Sequence, residues 1–226
     1  MQLNSRTQLN RKPRHDAGFT LIELLISVGI IGIIGIITVP LANSVIGVIR
    51  STDDTSSRLA MSHDAQISAA YFAQDVAAVG TRDATVAYLP FKASIQVDPL
   101  GVAYNVGPTC GTAATPPAIV RLLADNYDTT TSPATQQTDV VAYYVAVVGT
   151  ERQLRRMKCR GPSATPASDI AVAHNLGTDL GVGCQTAGAK LLCSNVPPPE
   201  QVTMGFTLSK SGQSYPVTLI GQRRQS

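Results

Sequence analysis

The chain contains no tryptophan and only three histidines, and charged residues make up 15% of it, against about 25% in a typical soluble domain. Little is left for proton transfer. No G-x-S-x-G elbow, no H-E-x-x-H helix and no phosphate-cradling glycine loop occurs. His15 falls in a basic leader, His63 in a helical stretch and His174 in a loop-like one, three solvated positions rather than bases. The four cysteines lack the C-x-x-C spacing and the nearby histidines of a zinc site. The paired acids Asp53-Asp54 and Asp125/Asp128 offer oxygens of the kind calcium takes, but without EF-hand spacing they read as solvated. No catalytic residue, metal or cofactor is expected, so the chain does not read as an enzyme. An excess of positive charge is missing too, despite a formal +3. Arg6, Arg11, Lys12 and Arg14 against Asp16 supply all of it, and after Gly18 the two signs balance. The remainder has no overall basicity to attract nucleic acid or an acidic surface. Ala, Thr, Ser and Gly fill the deficit, giving the weakly charged, small-residue surface of an extracellular protein.

What the chain does have is one long apolar run. Phe19 to Val39 carries a single charge, Glu23, and as a helix it is about 31 Å long, close to the hydrocarbon thickness of a bilayer. A carboxylate in such a helix costs about 2.5–3.5 kcal/mol if it lies deep, so Glu23 calls for a partner. The basic leader precedes the apolar run, whereas a secretory signal peptide places its apolar region before the cleavage site. A cut after Gly18 removes the leader and leaves the helix on the mature protein. The basic residues predict a cytoplasmic N-terminus and an exported remainder. Gly29, Gly32 and Gly35 recur every third residue, a smooth strip for close helix packing, and Pro40 is expected to end or kink the helix.

Gly18-Phe19-Thr20-Leu21-Ile22-Glu23-Leu24-Leu25, the Ile/Val/Gly-rich stretch after it and then Pro40 resemble the prepilin N-terminus of type IV pilins and type II secretion pseudopilins. The resemblance covers about the first 40 residues. It implies cleavage between Gly18 and Phe19 by a prepilin peptidase, N-methylation of Phe19, and a Glu23 that docks the subunit into a filament by pairing with a neighbour's Phe19 amine. Pro40 then matches the family's break in the stem. Gln66 to Gly80 resembles the end of the stem helix in PilW-like minor pilins and J-type pseudopilins, which favours a minor subunit.

Beyond the apolar run, residues 41–80 read as an amphipathic stem with Val45, Ile49, Leu59, Ile67, Tyr71, Val76 and Val79 as its apolar candidates, irregular near Ser51 to Ser57 and stopped by Gly80. Residues 81–226 suffice for one exported β-rich head. Strands are expected at Ala84–Leu89, Ser94–Val97, Ile119–Leu123, Asp139–Val148, Arg152–Cys159, Lys190–Ser194, Val202–Ser209 and Val217–Gly221, with surface loops at Thr129–Thr138 and Gly161–Ser168 and a stiff Pro197-Pro198-Pro199 connector. Asp139–Val148 and Arg152–Cys159 read as one hairpin. The whole is an α+β, pilin-like fold, a long N-terminal helix packed on an antiparallel sheet.

Cys110, Cys159, Cys184 and Cys193 all lie in the exported part, where an even set suggests disulfides with three possible pairings. Cys110 with Cys159 and Cys184 with Cys193 is the preferred one. Arg152, Arg156, Lys158 and Arg160 alternate onto one face of a strand. This ribbon reads as a charged edge that discourages strand pairing; a DNA contact is the alternative, though no aromatics are interleaved to stack bases. The chain is therefore expected to be a structural minor pilin or pseudopilin subunit, acting in initiation or at the tip. It would sit in the inner membrane by one span before joining other subunits through the assembly platform. The alternative is a filament-borne binding module for DNA uptake or adhesion.

Overall fold

A computed structural model describes residues 20–86, 88, 90–97, 110–112, 115–161, 163 and 165–224, with the backbone alone for 35–47 and 50. The leader 1–18 and the Gly18-Phe19 junction lie outside the described residues. The chain divides into two compact units, Met1–Ser51 and Thr52–Ser226. One helix, α1 (Leu21–Ala77), begins in the first unit and ends in the second. It runs on through Pro40, where an end or a kink was expected, and does not end there, and it continues through the Ser/Thr/Asp-rich stretch after Ser51, where an irregularity was expected. Proline removes a single i→i−4 bond, and the turns on either side keep theirs. The helix stops at Ala77 rather than at Gly80. Gly80, with φ 147°, turns the chain to lie beside residues 123–125, donating to the Leu123 carbonyl at 3.0 Å and accepting from the Asp125 amide at 3.1 Å.

Among the described residues, nine strands of the second unit form two antiparallel sheets rather than the one expected. The first has the order β1 (Ile95–Val97), β2 (Val120–Asp128), β3 (Thr135–Val148), β4 (Glu151–Cys159), β5 (Ser168–Ala173). The second has the order β7 (Ala189–Leu191), β6 (Gly181–Thr186), β8 (Gln201–Lys210), β9 (Gln213–Gln222). Residues 175–177 stitch β5 to β8, the Gly177 amide donating to the Thr207 carbonyl at 2.7 Å and the Ser209 amide to the Asn175 carbonyl at 2.8 Å. This α+β arrangement is compatible with a pilin-like fold.

Several expected boundaries move. Ala84–Leu89 is no strand where it is described; the segment turns, with the Thr85 hydroxyl on Asp83 at 2.6 Å. The expected loop Thr129–Thr138 shrinks to 129–134, because polar β2 and β3 continue their ladder out to Asp128↔Thr135. β5 begins at the last residue of the expected loop Gly161–Ser168, and β5 and β6 occupy stretches for which no strand was expected. The β3–β4 hairpin closes on Gly149-Thr150, with Gly149 at φ 64°, as a two-residue loop with glycine in its first position requires.

The main core lies between the helix and both sheets. Met61, Phe72 and Val76 of α1, with Val79 just beyond it, pack on Ile95, Val120, Leu122, Tyr143, Leu154 and Val172 of the first sheet and on Val202, Met204, Phe206, Leu208, Val217 and Leu219 of the second. The buried helix face steps through Met61, Ala65, Ser68, Phe72 and Val76, the i, i+3, i+4 rhythm of a helix stripe. Leu59, expected on that face, is 71% exposed, and Ile49 of the first unit is also exposed; Ile67 and Tyr71 are half-buried. A smaller cluster on the other face of the first sheet gathers Cys110, Ala118, Leu123, Val140, Ala142, Tyr144, Met157 and Cys159.

Candidate functional site: an exposed apolar helix and an anchored head

The first unit displays the helix from Leu21. The Thr20 carbonyl accepts from the Glu23 amide at 3.0 Å and the Leu24 amide at 3.2 Å, opening the first turn. Glu23 lies in that turn, where a carboxylate faces the positive end of the helix dipole. From Leu21 to Ile34 every Leu, Ile and Val is more than half exposed, on all sides. A side chain added at Gly29 or Gly32 would meet nothing within 4 Å. Each such Leu or Ile gains about 1.5–3 kcal/mol on full burial, so this surface requires apolar company. Among the described residues no helix is long and apolar enough to cross a membrane. The part of the expected Phe19–Val39 span with described side chains ends at Ile34, short of the roughly 20 residues a crossing takes.

The second unit holds its own helix end by a buried ion pair. Asp75 is 6% exposed and Arg156 of β4 is 7% exposed. Arg156 grips the carboxylate with Nε to Oδ2 and Nη2 to Oδ1, both 2.6 Å, the bidentate fork that suits guanidinium to carboxylate. Tyr143, directly opposite Arg156 in the β3–β4 register, donates its hydroxyl to the same Oδ2 at 2.6 Å. Burial, then the Asp75 charge, pushes the Tyr143 hydroxyl well above the ordinary tyrosine range. The Asp75 hydrogen bonds hold Arg156 firmly protonated against its desolvation. Further contacts extend along α1: Ser68 Oγ donates to the Val172 carbonyl at 2.7 Å, Asp64 Oδ2 accepts from the His174 amide at 2.9 Å, and Arg58 Nη2 donates to Gln213 Oε1 at 3.1 Å.

This geometry dissolves the basic ribbon. β4 is an interior strand between β3 and β5, so neither the charged-edge reading nor an open DNA-contacting face applies. Arg156 is spent on Asp75; Arg152 donates to the Gly177 carbonyl; Lys158 is half-buried beside a cleft of about 210 Å³ next to Asp125 and Asp139; only Arg160 is exposed. Asp125 accepts from the Arg82 amide at 3.0 Å and from Gln136 at 2.8 Å. Asp128 binds the Thr130 hydroxyl and amide, which hold its pKa below the usual carboxylate value. Asp53, Asp54 and His63 are exposed on the helix, while His174 sits against Asp64. The four cysteines form the disulfides Cys110–Cys159, which closes the smaller cluster, and Cys184–Cys193, which ties β6 to the segment after β7. Asp75, Tyr143 and Asp64 were not singled out as site residues. The signal for the first was one acid inside the apolar stretch Ala69–Val79; nothing in the basic run of β4 marks which of its arginines would neutralise it.

No curated protein matches the chain. Residues 13–39 match the prokaryotic N-terminal methylation motif family. That segment holds Gly18, Phe19, Glu23 and the exposed apolar helix together, and the match supports a type IV pilin-like subunit.

Proposed function

We propose that the chain is a minor pilin or pseudopilin whose work is assembly rather than chemistry. A prepilin peptidase cleaves between Gly18 and Phe19 and methylates the new Phe19 amine. The helix then holds the subunit in the inner membrane with residues 81–226 exported, until the assembly platform transfers it into a filament of other subunits. Glu23 pairs with the Phe19 amine of a neighbour, which neutralises the carboxylate inside an apolar bundle. The observation that carries this reading is the apolar surface from Leu21 to Ile34, more than half exposed at every Leu, Ile and Val and interrupted by one acid in its first turn. The ending Tyr71-Phe72-Ala73-Gln74-Asp75 of the stem, with Asp75 as an anchor, supports a PilW-like or J-type subunit at initiation or tip. Intact mass and N-terminal sequencing of the protein from membranes, with and without a co-expressed prepilin peptidase, test the proposal. Loss of residues 1–18 and a methylated Phe19 are expected only with the peptidase; an uncleaved chain under both conditions overturns it.

A further inference from the structure

The two disulfides differ in what surrounds them. Cys110 and Cys159 are both fully buried, in a cluster with Ala118, Leu123, Val140, Ala142, Tyr144 and Met157. Cys184 is buried too, but its partner Cys193 is partly exposed, alone among the four. A disulfide opens when a thiolate reaches one of its sulfurs, so access separates the two bonds.

The segment that Cys193 holds has little else to hold it. Ala189, Lys190 and Leu191 of β7 are all exposed, as are Leu192 at 74% and Val196 at 61%, so the stretch buries little apolar surface. β7 pairs with β6 alone, through Cys184↔Leu191, Gln185↔Lys190 and Thr186↔Ala189, and so short a ladder is marginal without a packed face. Its turn places Ala187 at φ 48° ahead of Gly188 at φ 80°, a left-handed backbone that a residue with a Cβ adopts at a cost. Glu200 secures that turn, its amide donating to Thr186 Oγ1 at 3.1 Å and its Oε2 accepting from the Ala187 amide at 3.4 Å. Among the described residues, no hydrogen bond or ion pair joins 189–196 to anything but β6. Cys193 packs at the margin of the main core, and the chain is seated again at Pro198 and Pro199, both buried.

We propose that Cys184–Cys193 is a reducible clasp and that residues 189–196 are a strap it locks along the edge of β6. A dithiol reductant opens it. One reductant thiolate attacks the Cys193 sulfur, the S–S bond breaks, and Cys184 leaves with the bonding electron pair. The second reductant thiolate then displaces Cys193 from the mixed disulfide, so the reductant ends as a disulfide and the two cysteines, on taking up two protons, as thiols. Cys110–Cys159 stays closed. With the strap loose, β6 changes from an interior strand between β7 and β8 to an edge strand, its outward amides and carbonyls unpaired. This device is independent of filament assembly and of the fate of the leader.

The test is graded reduction of the full chain in detergent with dithiothreitol, with free thiols alkylated at intervals and located by peptide mass, and amide hydrogen exchange followed on the same samples. Cys184 and Cys193 are expected to be labelled at least about tenfold faster than Cys110 and Cys159. Once that bond alone is open, amides of the β6–β7 ladder should exchange at least about tenfold faster, with those of β3 and β4 unchanged. The Cys184→Ser, Cys193→Ser double variant should show the same faster exchange without reductant. Should that variant fail to fold, the parent chain still decides, because it is folded before reduction begins. Equal labelling rates, Cys110–Cys159 opening first, neither bond opening, or ladder amides as protected after opening as before overturns the proposal.

Discussion

Two Tyr–Arg pairs stand next to each other in the β3–β4 ladder, Tyr143↔Arg156 and Tyr144↔Arg155, and the pleat sends them to opposite faces. Each pair meets an aspartate. On the helix side it is buried Asp75; on the other it is Asp169 of β5, whose Oδ2 accepts from Tyr144 at 2.7 Å and whose Oδ1 meets Arg155 at 3.1 Å, with side chains 34% and 24% exposed. The same chemistry should therefore have unequal weight. Asp75→Asn strands the Arg156 charge in the core and should cost about 3–5 kcal/mol, whereas Asp169→Asn should cost about 1 kcal/mol or less; urea unfolding of the two variants compares them directly. Tyr143 adds a pH dependence. Above its ordinary pKa of 10.0 the unfolded chain releases the hydroxyl proton while the folded chain keeps it, so the folded state loses relative stability as pH rises. The contribution is intact below about pH 10 and declines above it. Unfolding midpoints measured from pH 8 to pH 11, at roughly half-unit steps, should fall less steeply for Tyr143→Phe than for the parent, with Tyr144, also raised by burial and by Asp169, supplying what slope remains. None of this was legible from spacing alone: alternation places Arg152, Arg156 and Lys158 on one face of β4, with Arg160 beyond its end, but only the helix packed over that face, with Asp75 on Arg156, turns it inward.

At the scale of elements, long strands with β-branched or aromatic residues were readable, and small-residue ones were not. β8 and β9 carry Val, Phe, Tyr or Leu on one face in alternation, and β3 carries Val and Tyr on both. β6 reads Gly-Val-Gly-Cys-Gln-Thr, a poor strand by propensity, and exists because β8 pairs along its length from Gly181↔Gly205 to Gln185↔Gln201. The helix face was misplaced for a related reason: Ala65 and Ser68 interrupt the apolar periodicity at positions where the helix comes close to the sheets, Ser68 Oγ lying 2.7 Å from the Val172 carbonyl and Ala65 packing on the core. Gly221 of β9 marks such an approach. A Cβ there would come 2.4–2.9 Å from the side chain of Val76, so Gly221→Ala should destabilise the head by about 1–3 kcal/mol through overpacking. Combining it with Val76→Ala should recover part of that loss in thermal melts. A full recovery or more would show that the helix seats elsewhere on β9.

For the whole molecule, the decisive information sat in the first 40 residues, and it was legible as motif rather than as fold. The segment from the leader to Val39 lies within or next to the matched methylation motif, while the two-sheet head was only partly foreseen, because the division between sheets is set by which strands pair, β6 laddering on β8 rather than on β5. Gly18→Ala is expected to block leader removal, read as retained mass, and Glu23→Ala to permit cleavage while reducing filament yield in shear fractions. Normal filaments from the Glu23 variant would rule out its docking role. The Asp75–Arg156 pair has a last consequence, for habitat. Mobile ions screen exposed charges over about 8 Å in physiological salt and about 3 Å at molar salt, but hardly reach a buried pair. A head whose charged tie between helix and sheet is sealed from water keeps that tie in fresh water and in brine alike.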